Sequence, residues 1–371
     1  MMKKALQLAS VASMIDQFTI PNIQLLQSLG YQVDVVADFT HPGTITDERA
    51  AELRMRLEEM NVEVHDVAIP RSLNPLVIYT AYKAVRELIK NGHYKIVHCH
   101  SPIGGAICRL ASKKERKHGT KVLYTAHGFH FYQGAPLANW IIYYPIEKLL
   151  SSFTDTLITI NKEDYNLAKK RFNAAHIRYI PGIGVDTHKF QRNEDGRKRI
   201  RDELNLSEKQ TMLLSVGELN ENKNHEAVIR AIQGLNLTYV IVGKGELSTK
   251  LQRVARECMV DLRLMGYRTD VKDFYSAADI FILPSIREGL NVSLMEAMAS
   301  GLAIACGKIR GNTDLINYPC FAPSKLTEIR NAVVDVIEHK DALAKRNLTK
   351  IKQFDTVVVS KMMRNIYEKC Q

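Results

Sequence analysis

Two glutamates lie on either side of a predicted helix start, where they could bind the hydroxyl groups of a sugar nucleotide. Glu288 and Glu296 are eight positions apart, and Asn291 occupies the position of a helix N-cap between them. The apolar run 280–283 predicts a buried strand that Pro284 ends, and helix formers follow. Free N–H groups at a helix start suit a phosphate. The pattern therefore predicts a sugar-nucleotide pocket, although a solvated loop glutamate and a surface helix glutamate would have the same spacing.

The stretch that contains both glutamates resembles the signature of a known enzyme family. It reads P-S-x-x-E-G-L from residue 284 and M-E-A-M-A-S-G from residue 295, as is typical of family-4 retaining glycosyltransferases. The resemblance implies that Glu288 holds the hydroxyls of the donor sugar and that Glu296 holds the nucleotide ribose. The implied donor site further includes Gly289, Leu290 and Asn291.

A second candidate donor contact lies in the predicted turn after the strand 212–216. The turn reads S-V-G-E-L-N-E-N-K-N-H from residue 215 and resembles the family turn that grips the nucleotide diphosphate through an arginine and a lysine. By this resemblance Gly217 and Lys223 bind the donor, and Lys223 stabilises the charge that develops on the leaving diphosphate. Glu218 stands where most members have the arginine, so either Lys223 contributes more or a basic residue from elsewhere compensates. A solvated loop lysine is the alternative.

His127 follows the predicted strand 122–125 and precedes a glycine. Parallel α/β sheets bind ligands at the carboxyl ends of their strands, and this position resembles the family histidine that faces the donor sugar and the acceptor. We therefore predict that His127 is a catalytic group that hydrogen-bonds reacting hydroxyls, with His130 as a weaker candidate and a structural histidine as the alternative. The first strand-to-helix turn, residues 13–18, lacks the family's usual glycine pair, which Gln17 or a more distant backbone would replace.

The length of the chain, 371 residues and 42.0 kDa, predicts two domains. Predicted strands and helices alternate in both halves, which indicates α/β domains with parallel sheets. The resemblance implies the GT-B fold, in which two Rossmann-like domains face each other across a cleft and a C-terminal helix crosses back to the first domain. We place an acceptor-binding domain at residues 1–185, completed by a helix at 355–371, and a nucleotide-sugar-binding domain at 186–354. Residues 181–184 suit a hinge.

The formal net charge of +11 indicates an acidic partner. An anionic membrane surface or the diphosphate of a lipid-linked acceptor would explain it, whereas the sequence patterns of nucleic-acid-binding modules are not visible. Basic clusters lie at 113–117, 169–171 and 197–201, and solvated faces that only maintain solubility are the alternative. The aromatic stretch 132–145 would cover an acceptor, touch a membrane surface or pack as a core helix.

Several classes of protein are excluded or disfavoured by the composition. No apolar run reaches the roughly 18 residues of a transmembrane helix, and the six cysteines form no C-x-x-C pair, which favours a reducing cytosol. His98 and His100 flank Cys99 without a second ligand cluster, so we expect no metal site there.

These observations predict a glycosyltransferase, and the resemblance implies that it retains anomeric configuration and acts in bacterial exopolysaccharide or capsule assembly. It would move a hexosyl unit from a nucleotide sugar, which we expect to be a UDP-sugar, to a lipid-linked saccharide. By resemblance it would need no metal or other cofactor, and we expect it in the cytoplasm, bound peripherally to the membrane. A nucleotide-sugar epimerase on the same fold and a non-catalytic partner subunit of a transferase are the alternatives.

Overall fold

The computed structural model describes residues 3–70 and 74–370. Contacts divide the chain into two compact units: unit 1 comprises the residues up to Ile183 and from Val359 onward, and unit 2 comprises Gly184–Val358. Residues 1, 2, 71–73 and 371, which fall within the predicted first domain and its helix, lie outside the described residues. The binding roles of the two units remain predictions.

The described part of unit 1 is built on a seven-stranded sheet in which every pair of neighbours is parallel. The strand order is β3-β2-β1-β4-β5-β6-β7. The strands are β1 (Lys3–Val11), β2 (Tyr31–Asp38), β3 (Glu63–Asp66), β4 (Ile96–His100), β5 (Lys121–Ala126), β6 (Thr156–Thr159) and β7 (His176–Tyr179).

Helices connect these strands, as parallel pairing requires. They are α1 (Ala12–Met14), α2 (Ile20–Ser28), α3 (Asp47–Glu59), α4 (Pro75–Gly92), α5 (Pro102–Ala111), α6 (Lys113–Arg116), α7 (Leu137–Ser151) and α8 (Lys162–Arg171), with a π-helical turn at Ile15–Thr19. Ser112 separates α5 from α6.

The sheet of unit 1 is buried on both faces, since alternate residues of a strand point to opposite sides. Ala5 and Ala9 of β1 pack in one core cluster, whereas Leu6 and Leu8 pack in the other. The C-terminal helix α17 (Thr356–Glu368) contributes Val359, Met363, Ile366 and Tyr367 to the first cluster. The predicted return of this helix to the first domain is therefore confirmed.

Unit 2 has a six-stranded parallel sheet in the order β10-β9-β8-β11-β12-β13. The strands are β8 (Thr211–Val216), β9 (Leu237–Val242), β10 (Asp261–Leu264), β11 (Ile280–Leu283), β12 (Ala303–Gly307) and β13 (Cys320–Phe321). The helices are α9 (Glu194–Glu203), α10 (His225–Ala231), α11 (Ser248–Glu257), α12 (Val271–Ala277), α13 (Val292–Ala299), α14 (Asn312–Leu315), α15 (Leu326–Glu338) and α16 (Lys340–Ile351), with 3₁₀ turns at Glu221–Lys223 and Lys352–Phe354. Two parallel α/β sheets confirm the predicted fold class.

The basic cluster at 197–201 is largely structural, so its prediction as a partner-binding or solvated face is wrong for two of its arginines. Arg197 and Arg201 are buried, and both donate to the carbonyl oxygen of Ala277, at 2.8 and 2.9 Å. Asp279 lies 3.3 and 3.4 Å from the two guanidinium groups. These bonds hold α9 against the end of α12, because buried charges need ionic and hydrogen-bonding partners.

Within residues 3–70 and 74–370, no helix combines the length and the apolar character that a membrane span requires.

Candidate functional site

The loop after β11 presents Glu288 beside the start of α13. Asn291 caps this helix as predicted, because its side-chain oxygen accepts the backbone N–H of Leu294 at 2.9 Å. Ser293 Oγ donates to the same oxygen at 2.6 Å and thereby fixes the cap. The remaining N–H groups of the first turn have no partner inside the helix, which makes this end suitable for an anion.

Lys223 and Glu288, predicted separately from two motifs, form an ion pair in the structure. Lys223 Nζ lies 2.6 Å from Glu288 Oε1, and the two side chains are only 17% and 13% exposed. Asn222 ties the two loops together: its carbonyl accepts the N–H of Ile286 at 2.9 Å, and its side chain donates to the carbonyl of Arg287 at 3.0 Å. The two loops therefore hold a cation and a carboxylate at one edge of the sheet.

Near this pair, two glycines allow backbone segments of different loops to come into close contact. A Cβ atom at Gly243 would lie 1.9 Å from the carbonyl oxygen of Gly217, and one at Gly311 would lie 2.0 Å from the carbonyl oxygen of Gly289. Neither approach is possible for a residue with a side chain. Gly217 and Gly289, both predicted donor contacts, are thus packed against other loops by their backbone, and Leu290 completes the same loop as a buried residue.

Glu296 lies on α13, about a turn and a half after the cap. The hydroxyl of Tyr275 in α12 donates to Glu296 Oε2 at 2.8 Å. Burial raises the pKa of Glu296, while this hydrogen bond and the charge of Lys189 oppose the rise. Tyr275 could not be identified from the sequence, because nothing local to its helix indicates a carboxylate partner.

Arg310 is a basic residue near Glu288 that the sequence analysis did not identify. Its Nε donates to the carbonyl oxygen of Glu288 at 3.2 Å, and the residue is buried. Glu218, at the position of the family arginine, instead accepts a hydrogen bond from Asn220 at 2.8 Å. Arg310 directly precedes Gly311, and no local sequence pattern indicates that this turn meets the loop of Glu288.

In unit 1, His127 lies just beyond the carboxyl end of β5, as predicted. Its Nε2 is 3.1 Å from Nδ1 of His100, and its ring centroid is 4.9 Å from that of Phe18. Burial lowers the pKa of His127 to about 4, so the ring is neutral near pH 7. The side chain can therefore exchange hydrogen bonds with hydroxyl groups without carrying a charge.

A cavity of about 420 Å³ opens at the carboxyl ends of β1 and β4 in unit 1. The predicted candidates Gln17 and His130 line it, together with Ser10, Ser101 and Tyr143. Ser101 has φ 63° and ψ 154°, a conformation that costs a non-glycine residue energy and is found mostly at functional sites. Ser101 Oγ lies 2.7 Å from Ser10 Oγ. The mixed polar lining suits a hydroxyl-bearing ligand.

A glycine from a neighbouring loop and one from α5 pack beside the first turn of unit 1, which has none of its own. A Cβ atom at Gly43 would lie 2.5 Å from Ser13 Oγ, and one at Gly104 would lie 2.9 Å from Ser10 Oγ. The π-helical turn that follows α1 contains Gln17, whose amide nitrogen is 3.4 Å from Thr44 Oγ1. Close packing at this turn is therefore provided from outside it.

In the described part of the chain, one group of side chains has its ligand atoms close enough together to hold a metal ion. It consists of Asp34, Glu63 and His65, whose ligand atoms lie within 4.8 Å of one another. The ammonium of Lys4 already lies 3.8 Å from Asp34, and the hydroxyl of Tyr94 donates to the same carboxylate at 2.5 Å. His98 and His100 are not in this group and bond to protein side chains instead.

Comparisons with known proteins identify the family. Residues 23–189 match the model described as Glycosyltransferase Family 4, and residues 196–319 match Glycosyl transferases group 1. The EpsD protein of Bacillus subtilis (strain 168), whose name carries a provisional glycosyltransferase assignment, is 34% identical over 325 residues, covering 85% of this chain and 81% of EpsD. The chain belongs to this glycosyltransferase family.

Further relatives of this glycosyltransferase agree with the assignment. The Escherichia coli UDP-Gal:alpha-D-GlcNAc-diphosphoundecaprenol alpha-1,3-galactosyltransferase is 27% identical and covers 84% of this chain and 80% of its own length. Among solved structures, HepE from Anabaena in complex with UDP has a TM-score of 0.79 at 16% identity, covering 99% of this chain and 100% of HepE. A glycosyltransferase from Rickettsia africae ESF-5 has a TM-score of 0.76 at 17% identity, covering 100% and 98%. These structures share the fold.

Proposed function

We propose that this glycosyltransferase retains anomeric configuration and moves a hexosyl unit from a UDP-sugar to a lipid-linked saccharide during the assembly of a surface polysaccharide. The observation that carries the proposal is the Lys223–Glu288 pair beside the capped start of α13. The donor class is that of HepE, solved with UDP-glucose, and the acceptor class is that named for the Escherichia coli relative. Unit 2 would bind the donor, and unit 1 the acceptor.

Three charged groups of unit 2, Lys223, Glu288 and Glu296, each have one role in this proposal. Lys223 exchanges Glu288 for the diphosphate of the donor and stabilises the charge that grows on it as the glycosidic bond breaks. Glu288, released from the lysine, accepts hydrogen bonds from the sugar hydroxyls. Glu296 accepts them from the ribose, and the N–H groups that follow Asn291 face the phosphates.

The remaining chemistry requires no cofactor. Because Lys223 and the helix start supply the positive charge, the diphosphate can leave without a divalent cation. The acceptor hydroxyl attacks from the side on which the diphosphate departs, without a covalent enzyme intermediate. Its proton passes to the departing diphosphate oxygen, and His127 hydrogen-bonds a reacting hydroxyl.

The experiment is a transfer assay with the purified chain, a panel of nucleotide sugars and a synthetic saccharide-diphosphate-lipid, performed in EDTA. We expect one UDP-sugar to yield product with the donor's anomeric configuration, as read by NMR. Conversion of the donor without acceptor would indicate an epimerase. Binding of the donor without turnover under any condition would indicate a partner subunit, and loss of activity in EDTA would contradict the metal-free step.

The same proposal includes peripheral binding to the cytoplasmic face of an anionic membrane. On α7, Leu137, Ile141 and Leu149 are 73%, 65% and 63% exposed, although apolar side chains of this size are normally covered. The adjacent helix α5 leads into the exposed lysines of α6, within the basic cluster 113–117. Apolar side chains beside basic ones fit the boundary of an anionic bilayer.

Co-sedimentation with vesicles tests this surface. We expect the protein to bind vesicles of phosphatidylglycerol and phosphatidylcholine more strongly than phosphatidylcholine alone, and I141E and L149E to reduce binding at least tenfold. M55E is the matched control, because Met55 is 57% exposed on α3 of the same unit, outside this surface. Equal binding by all three variants would refute the assignment of α7.

A further inference from the structure

A continuous chain of buried hydrogen bonds leads to His127 from the core of unit 1. Nδ1 of His100 is 3.1 Å from Nε2 of His127, and Nε2 of His100 is 3.3 Å from Oε1 of Gln7. Nε2 of Gln7 donates to the hydroxyl of Tyr367 at 3.2 Å, and this hydroxyl is 2.8 Å from Nδ1 of His98. These side chains come from β1, β4 and α17.

The orientation of the Gln7 amide determines where each proton in this chain lies. The amide of Gln7 presents its oxygen to His100, and an amide oxygen only accepts hydrogen bonds. His100 must therefore carry its proton on Nε2, and its Nδ1 is then an acceptor. Because the facing nitrogen of His127 must donate to that acceptor, neutral His127 carries its proton on Nε2.

Burial keeps this arrangement from relaxing. Gln7 and Tyr367 are fully buried and His100 is 1% exposed, so water cannot replace their bonds. Burial also lowers the pKa of His100 and His127, which leaves both rings neutral and makes one donor and one acceptor necessary.

We infer that His100 and Gln7 are positioning residues that hold His127 as the tautomer protonated on Nε2. The nitrogen left for a ligand, Nδ1, is then an acceptor, so His127 receives a hydrogen bond from a reacting hydroxyl and does not donate one. The inference deepens the proposed function and rests on it for the role of His127 in transfer. The tautomer itself is independent of any substrate.

The test is a long-range ¹H–¹⁵N correlation spectrum of the full chain labelled at histidine, with His127 assigned by H127Q. We expect wild-type His127 to show a protonated Nε2 and an unprotonated Nδ1. H100L removes the acceptor, so we expect mixed His127 signals and a fall in kcat of about tenfold or more with the donor KM within threefold. Q7L removes the oxygen that accepts from His100, so it should also give mixed His127 signals.

Tyr94→Phe is the matched control, because it also removes a buried hydrogen bond of unit 1 but lies before β4, at the opposite edge of the sheet. It should lower stability while leaving the His127 signal and kcat unchanged. A protonated Nδ1 in wild type would overturn the inference, as would an H100L variant with unchanged signal and kcat. If H100L does not fold, the wild-type spectrum still decides the tautomer. The predicted tautomer without glycosyl transfer would contradict only the proposed function.

Discussion

The Lys223–Glu288 pair allows a quantitative test of the donor site by a double-mutant cycle. The cycle consists of K223A, E288A and the double variant. The two charged atoms are 2.6 Å apart, and both side chains are less than one-fifth exposed. Each single substitution therefore leaves a poorly solvated charge without its partner, whereas the double substitution leaves none.

The effect on stability follows from this degree of burial. Breaking a fully buried pair costs about 3–5 kcal/mol and an exposed pair about 0–1 kcal/mol, so we expect about 2 kcal/mol for each single variant. For a unit of the size of unit 2, Gly184–Val358, that lowers the unfolding temperature by roughly 4–8 °C. The double variant should regain at least half of the loss. Differential scanning calorimetry provides the measurement.

The expected effect on turnover is larger, because both groups act on the donor in the proposed mechanism. Removing one preorganised group that stabilises developing charge lowers kcat by about 10²–10³, and we expect this range for each single variant. The double variant should be less than about tenfold slower than the worse single one, because groups that act together are not additive. The assay is single-turnover transfer at saturating UDP-sugar.

A surface pair in the same unit is the control. Lys250 Nζ lies 2.9 Å from Glu226, but these side chains are 39% and 30% exposed, so K250A should change stability by less than about 1 kcal/mol and leave turnover intact. Wild-type turnover in both K223A and E288A would refute the donor-site assignment. Additive losses of stability across the cycle would show that the pair does not exist in solution.

Three further predictions concern buried groups and close packing. Burial lowers the pKa of His98 to about 3, so only the unfolded chain takes up a proton at this residue as the pH falls below about 6.5. The folded state therefore loses stability as the pH falls. In urea titrations, H98Q should reduce the slope of the unfolding free energy against pH by about 1.4 kcal/mol per pH unit between pH 6 and 4. Y275F removes a hydrogen bond that lowers the pKa of Glu296, so this pKa should rise further and the donor KM should increase, more at pH 6 than at pH 8. G311A should weaken UDP binding about tenfold in calorimetry, because its Cβ would lie 2.0 Å from a backbone oxygen. G234A is the control: Gly234 has a similar φ of +76° but open space around it, so this variant measures the effect of backbone strain without the steric clash.

The strand, cap and helix around Glu288 could be predicted because their signals are local. The apolar run at Ile280–Leu283, the proline after it and Asn291 lie within about a dozen residues, and each has a short-range physical effect. The structure begins α13 at Val292, directly after the predicted cap. Local chemistry of this kind does not depend on the rest of the fold.

Contacts between distant segments could not be predicted in the same way. Sequence patterns named Lys223 and Glu288 separately, but their ion pair depends on β8 and β11 being neighbours in the sheet. The charge run that contains Arg197 and Arg201 predicts a partner-binding or solvated face, because the Ala277 carbonyl group that receives both lies more than seventy positions along the chain. Charge runs predict exposure only where no distant acceptor exists.

The environments of Glu288 and His127 also differ in whether they depend on local sequence or on contacts between distant segments. The environment of Glu288 comes from motifs in which the functional side chain and its helix start are adjacent in sequence. The tautomer of His127 depends on Gln7, His100 and Tyr367, which meet only when the first strand and the last helix have packed into unit 1. Because α17 supplies the hydroxyl to which Gln7 donates, loss of this helix would release the Gln7 amide and with it the constraint on His127. The C-terminal helix is thus connected to the predicted catalytic group through hydrogen bonds as well as through the core.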